Sequence, residues 1–255
     1  YLTAKYDWTG LSGLLYKSLP VSLAAFVLTF VAVLFFANLV SYDLEKLLHF
    51  GHLFEGIAIG TIGLLILMPN VARMWYLTIL KPGIKVPVAK YAKSMGELFV
   101  HMFTQKRALG CDDNQFRWFE HFILVIGYLS LLFTTVVLDW FASPHLFVII
   151  LGYVMSAIVF VVTVDFVRGR IQAKKEVSKH SQPSDIFFVV WLFLMGLTAF
   201  LVRLFIDLDL LEANKWLYIF HLTVLVQWAL IIVPFGKWTH FLYRSFAMYF
   251  AKLKE

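Results

Sequence analysis

Hydrophobic positions along this chain fall in long unbroken runs, without the alternation of a strand or the one-sided stripe of a surface helix. Charge-free stretches cover 21–40, 56–72, 121–138, 140–164, 186–202 and 216–236, and by these bounds they hold 20, 17, 18, 25, 17 and 21 residues. A helix rises about 1.5 Å per residue and needs roughly 20 residues to cross the hydrocarbon of a bilayer. Each run is therefore a span, the two shortest extending into flanking His, Leu and Phe. A buried soluble helix would explain one such run but not six in series. The first run is too long for a signal peptide and lacks a small-residue cleavage site. The pattern predicts an all-α integral membrane protein, a six-transmembrane-helix bundle in one domain over 1–255. Its spans lie near 21–40, 52–75, 118–139, 144–166, 185–206 and 215–237, with a long loop over 78–117.

Composition agrees with the pattern. Hydrophobic residues make up 61% of the chain, charged residues 15%, and the mean hydropathy is +0.80. A water-soluble globule of 255 residues cannot bury that much apolar surface. Cytosolic enzymes, disordered proteins and nucleic-acid binders are thereby excluded as classes. A single cysteine, Cys111, excludes a disulfide framework and any iron–sulfur cluster held by this chain alone.

Charge sets the orientation. Six spans place the N-terminus, the 73–120 and 165–185 loops and the C-terminal tail on one side. Those segments carry 19 of the 22 Lys and Arg, leaving Lys46, Arg203 and Lys215 for the other side. The positive-inside rule makes the rich side cytoplasmic, so both termini are expected there. The net charge of +6 is then a membrane-surface charge able to hold lipid and a partner, with no nucleic acid required. Within the long loop, Lys81-Pro82-Gly83 ends the second span, and Val86 through Arg107 reads as a helix mixing basic and apolar residues, suited to a membrane surface or a docking face.

Ionisable groups at membrane depth are costly and are functional candidates by default. Of eight histidines, His101 and His180 fall in cytoplasmic loops and read as solvated. His121 opens span three and His240 follows span six, both at the cytoplasmic edge. His49 and His52 before span two, His145 before span four and His221 early in span six lie toward the outer edge. Neutral imidazole is a good axial ligand for haem iron, and two from facing helices can grip a macrocycle inside a bundle. His121 and His240 meet the sidedness requirement. Arg117 and Arg244, each one turn from one of them, suit haem propionates. Hydrolytic motifs are absent: there is no HExxH, no GxSxG and no phosphate-binding glycine loop.

The run His221-LTVLVQWALIIV-Pro234-Phe235-Gly236-Lys237-Trp238-Thr239-His240-FLYRSFA resembles the final helix of the nitrate reductase γ-subunit cytochromes b. It is similar, more closely, to the membrane cytochrome b subunits of heterodisulfide reductase and of the quinone-interacting membrane-bound oxidoreductase. Cys111-DDNQFRWFEHFILVIGY, Pro183-Ser184-Asp185 and Tyr243-Arg244 fit the same pattern, which covers roughly residues 100–250. The resemblance implies a b-type haem protein of a prokaryotic cytoplasmic membrane. Such a subunit passes electrons between the quinone pool, expected as menaquinone, and a cytoplasmic iron–sulfur subunit of a respiratory oxidoreductase. By position, His121, His221 and His240 match haem ligands. One departure stands out: the nitrate reductase pattern has a second histidine ten residues after the first, and this chain has Leu131 there. The cysteine-rich cluster domain of relatives is expected on another chain or an N-terminal portion.

Two haems b are expected from these residues. One is held by His121 and His240; the other, on the outer side, by His221 and His52, with His49 and His145 as its other available partners. Glu55 stands one turn beyond His52, where it could take protons from a quinol. Pro234 is expected to bend span six just before His240. The alternatives are a single-haem protein in which His221 hydrogen-bonds a neighbour, a structural anchor for a soluble reductase, and a secondary transporter or channel. The last would use Gly60-TIG and Pro69-Asn70 as breaks in a helix at a substrate site.

Overall fold

The computed structural model describes residues 2–104, 115–172 and 183–255. Among them there is no strand, and six helices are long and apolar enough to cross a membrane. In chain order the helices are α1 (Leu2–Tyr6), α2 (Leu11–Lys17), α3 (Leu19–Leu39), α4 (Leu44–Leu80), α5 (Val88–Thr104), α6 (Gln115–Val136), α7 (Leu146–Gln172) and α8 (Pro183–Asp207). They continue with α9 (Lys215–Gln227), prolonged by a π-helical segment Trp228–Ile232 and a turn Val233–Phe235, and α10 (Trp238–Lys254). Large apolar side chains remain on the outer surface, Val27, Leu28, Phe35, Leu64 and Leu65 among them. Only lipid satisfies such a surface, and the protein reads as an integral membrane protein.

The helices pack around a common centre, with α7 between α6 and α8, α9 between α8 and α3, and α4 against both α6 and the π segment of span six. Close approach needs small residues. Gly152 of α7 lies under the fully buried Trp140 indole, and Gly51 of α4 under the Tyr218 hydroxyl; a Cβ at either would collide with the ring above it.

Both terminal helices lie at one end of the bundle, where α1 packs on α10 and on α4, and α10 packs along α5. Tyr249 donates to the Tyr91 carbonyl at 3.0 Å, and the Trp75 indole to the Tyr91 hydroxyl at 3.1 Å. Lys237 pairs with Asp185 at the start of α8. The C-terminal tail is therefore a packed helix with Tyr243, Tyr249, Phe250 and Leu253 buried.

Proline explains a second tie at this end. Pro69 has no N–H to give to the Leu65 carbonyl four residues back, and in hydrocarbon no water can replace it. The Trp8 indole supplies the missing bond at 3.0 Å. Beside it, Asn70 accepts from the Trp8 backbone N–H at 2.9 Å and donates to Tyr243 at 2.8 Å, joining the N-terminal segment, α4 and α10. Asp7 accepts from the Ser12 and Thr9 backbone N–H groups and from the Thr9 hydroxyl. Burial alone would raise its pKa, but these bonds outweigh it and hold the carboxyl below its ordinary value.

Several boundaries differ from expectation. Span two starts at Leu44, where Asp43 caps the helix, so His49 and His52 lie inside it. Gly60-TIG and Pro69-Asn70 do not break α4; it runs for 37 residues, with π-helical segments at Gly63–Leu67 and Tyr76–Leu80. Span six breaks at Gly236, in extended backbone, and Pro234 sits in the short turn before it. The loop helix begins at Val88, and its expected continuation to Arg107 lies outside the described residues.

At the opposite end, Arg203 closes the connection between α6 and α7. Its guanidinium donates to the carbonyls of Trp140, Phe141 and Ser143 and pairs with Asp207 at 2.7 Å, which also accepts from Tyr153 at 2.7 Å. Removing one partner of such a buried network leaves the rest unsatisfied. Arg203→Met is expected to destabilise the protein by about 3 kcal/mol, read as a lowered unfolding temperature in detergent.

Candidate functional site

A cavity with an empty volume of about 880 Å³, counted with its open side, lies inside the bundle. Glu55, Ala58, Ile62 and Gly63 of α4 form one wall, Tyr128, Leu131 and Thr135 of α6 a second, and Met195 and Ala199 of α8 a third. His221, Leu225 and Trp228 of span six complete it. The register of α4 explains which residues arrive. Leu47, Gly51, Glu55, Ala58 and Ile62 are its buried positions, spaced by three or four, which is one face of a helix. Glu55 belongs to that face; His52 does not.

His221 is only 2% exposed and its Nδ1 lies 2.8 Å from the Thr198 hydroxyl oxygen. That hydroxyl also lies 2.6 Å from the Leu194 carbonyl, which can only accept, so Thr198 gives its one proton to Leu194. Thr198 must then accept from His221, fixing the proton on Nδ1 and leaving the lone pair on Nε2. The ring is packed edge-on by Phe141, with centroids 5.4 Å apart. Tyr128 has a similar imbalance. Its oxygen accepts from the Trp228 indole at 2.9 Å, while among the described residues no acceptor takes its own proton. Glu55 is 8% exposed, and its carboxyl forms no hydrogen bond or ion pair with the described residues; Asp139 is its charged neighbour.

The expected haem ligands divide between this cavity and the terminal end. His121, on the second turn of α6, and His240, at the start of α10, are exposed at the same end, each within electrostatic reach of the other. The His121 ring lies 6.1 Å from that of Phe166. Arg244 and Lys237 also act on His240. A pair of imidazoles with cations beside them is a donor set that fits haem.

At the cavity the fit fails. His221 offers Nε2, but no second histidine lines the walls, and Leu131 stands there. His52 turns away, its Nδ1 3.6 Å from Asp139 and its side chain 42% exposed. The structure does not bring His52 and His221 together, because His52 is one residue past the buried face of α4. His49 and His145 are exposed as well. His101 is not a solvated bystander; its side chain is 12% exposed and Nε2 lies 3.2 Å from Glu97. Cys111, His180 and the Arg117 side chain lie outside the described residues.

Tyr128, Thr198 and Trp228 were not among the sequence candidates. Only their membrane depth marked them, and many polar side chains at depth simply bond their own helix. Comparison with protein-family models, curated proteins and solved structures finds no match. Thr198→Val keeps the side-chain shape but strands the His221 N–H. A loss of about 1–3 kcal/mol of stability is expected, measured by unfolding in detergent.

Proposed function

We propose that this chain is the haem b membrane subunit of a quinone-linked respiratory oxidoreductase, passing electrons between the quinone pool and a cytoplasmic iron–sulfur subunit. The observation that carries the reading is the placement of His121 and His240 at one end of the bundle, within each other's electrostatic reach although 119 positions separate them in the chain. Bound there, haem supplies reversible one-electron chemistry. The protein's part is to hold and orient it. Neutral imidazoles of His121 and His240 would hold its iron. The Arg244 guanidinium, one turn beyond His240, suits the propionates. Extended backbone at Gly236 lets α10 leave the axis of span six and so sets where His240 stands.

The charge bias of the loops supports a cytoplasmic location for the terminal end, and the family resemblance supports a prokaryotic membrane. On that side the layer of α5 and α10 offers Lys90, Lys93, Lys252 and Lys254 to an acidic partner surface or to anionic lipid. Reporters fused to either terminus are expected to be active only in the cytoplasm; a periplasmic signal from either would reverse the orientation.

The haem reading is tested by colour. The purified chain is expected to show a b-type reduced-minus-oxidised spectrum, lost in His121→Ala and in His240→Ala. A colourless protein, or a spectrum unchanged in both variants, would overturn it and leave a transporter or a structural anchor.

A further inference from the structure

We propose that the cavity between α4, α6, α8 and span six is the binding site for the head ring of a lipid-soluble quinone, held by Glu55, Tyr128 and His221, and is not the seat of a second haem. The inference rests on the quinone-linked reading above and adds to it a location, three residues and a haem count of one.

Ligation argues against the second haem. A macrocycle gripped between helices in this bundle needs two axial donors, and the cavity walls hold one imidazole. The remaining hydrogen-bonding capacity argues for a small ring with polar edges. His221 Nε2 can only accept, the Tyr128 proton can only be given, and the Glu55 carboxyl has no partner. Buried polar groups without partners cost free energy, and polar residues at membrane depth are seldom left so unless they meet a ligand. Here three of them line one space otherwise walled by hydrocarbon and aromatic side chains and by Thr135, whose hydroxyl bonds the Leu131 carbonyl of its own helix. A hydroquinone hydroxyl would satisfy His221, and a quinone carbonyl would take the Tyr128 proton. The carboxyl can serve either form.

Backbone geometry points to the same place independently. Two π-helical segments, Gly63–Leu67 of α4 and Trp228–Ile232 of span six, border the cavity from different helices. Such segments are rare and gather at functional sites. The route in is through the lipid. Ile59 lines the cavity yet is 45% exposed on the outer surface, and a Cβ on Gly60 or Gly63 would meet nothing within 4 Å. An apolar tail can leave by that gap while the ring stays inside.

The test combines binding with a haem count on the full purified chain. A short-tailed naphthoquinone is titrated in nanodiscs and its equilibrium binding measured, with the pyridine haemochrome assay run on the same samples. Saturable binding of one molecule per chain is expected, weakened at least tenfold by Glu55→Gln, which replaces the carboxyl with an amide, and by Ala58→Phe, which fills the cavity one turn away. Haem content should be one per chain and unchanged in His221→Gln. Two haems per chain, one of them lost in His221→Gln, would overturn the proposal, as would quinone affinity unchanged in both cavity variants. Saturable binding without any haem would defeat the haem reading and leave the site standing. One haem without quinone binding would do the reverse.

Discussion

Hydrocarbon contains no water, so a polar group at membrane depth is satisfied by the chain itself or remains a cost. The fold is organised by that requirement. Pro69 orphans the Leu65 carbonyl, and an indole from the N-terminal segment meets it. Arg203 sits at 4% exposure, and its two terminal nitrogens meet three loop carbonyls and a carboxylate. The Thr198 hydroxyl is used on both sides, giving to Leu194 and receiving from His221. The unspent capacities of His221, Tyr128 and Glu55 differ from these in sharing one space.

Helix irregularity builds that space. A regular α4 would continue its packed face past Ile62. It passes instead into a π-helical turn, which widens the coil and shifts the side-chain register by part of a turn, and no side chain over Gly63–Leu67 is buried. Span six also enters a π-helical turn beside the cavity but keeps Trp228, Ile231 and Ile232 buried through it. Gly236 performs a different task, turning the chain out of span six so that α10 lies against α5.

Much of this was legible in the sequence and some was not, for identifiable reasons. Six spans were readable because hydrocarbon imposes one length on every crossing. Locating spans by charge-free windows started the second at Gly56, extended to about 52 through its flanking residues. Glu55 was singled out there for standing one turn beyond His52, not for the inward face of α4 that it shares with Leu47, Gly51 and Ala58. His52 was preferred for its depth; the spacing of Leu47, Gly51, Glu55 and Ala58 would have shown that it leaves the inner face. The alternative in which His221 hydrogen-bonds a neighbour matches the observed Thr198 contact. Thr198 itself was not foreseeable, since that pairing depends on how α8 and α9 pack. The tail helix escaped because its apolar face meets α5 and α1, not lipid.

The Arg203 clamp has a consequence for supply. It fixes the Trp140–Ser143 backbone and seats Phe141 against His221 at one end of the bundle, while Ile59, a cavity residue, is 45% exposed on the outer surface. A molecule entering past Ile59 comes from the bilayer. Occupancy by that route follows mole fraction among lipids and lateral diffusion in two dimensions, so partition into the membrane selects a ligand before its shape is consulted.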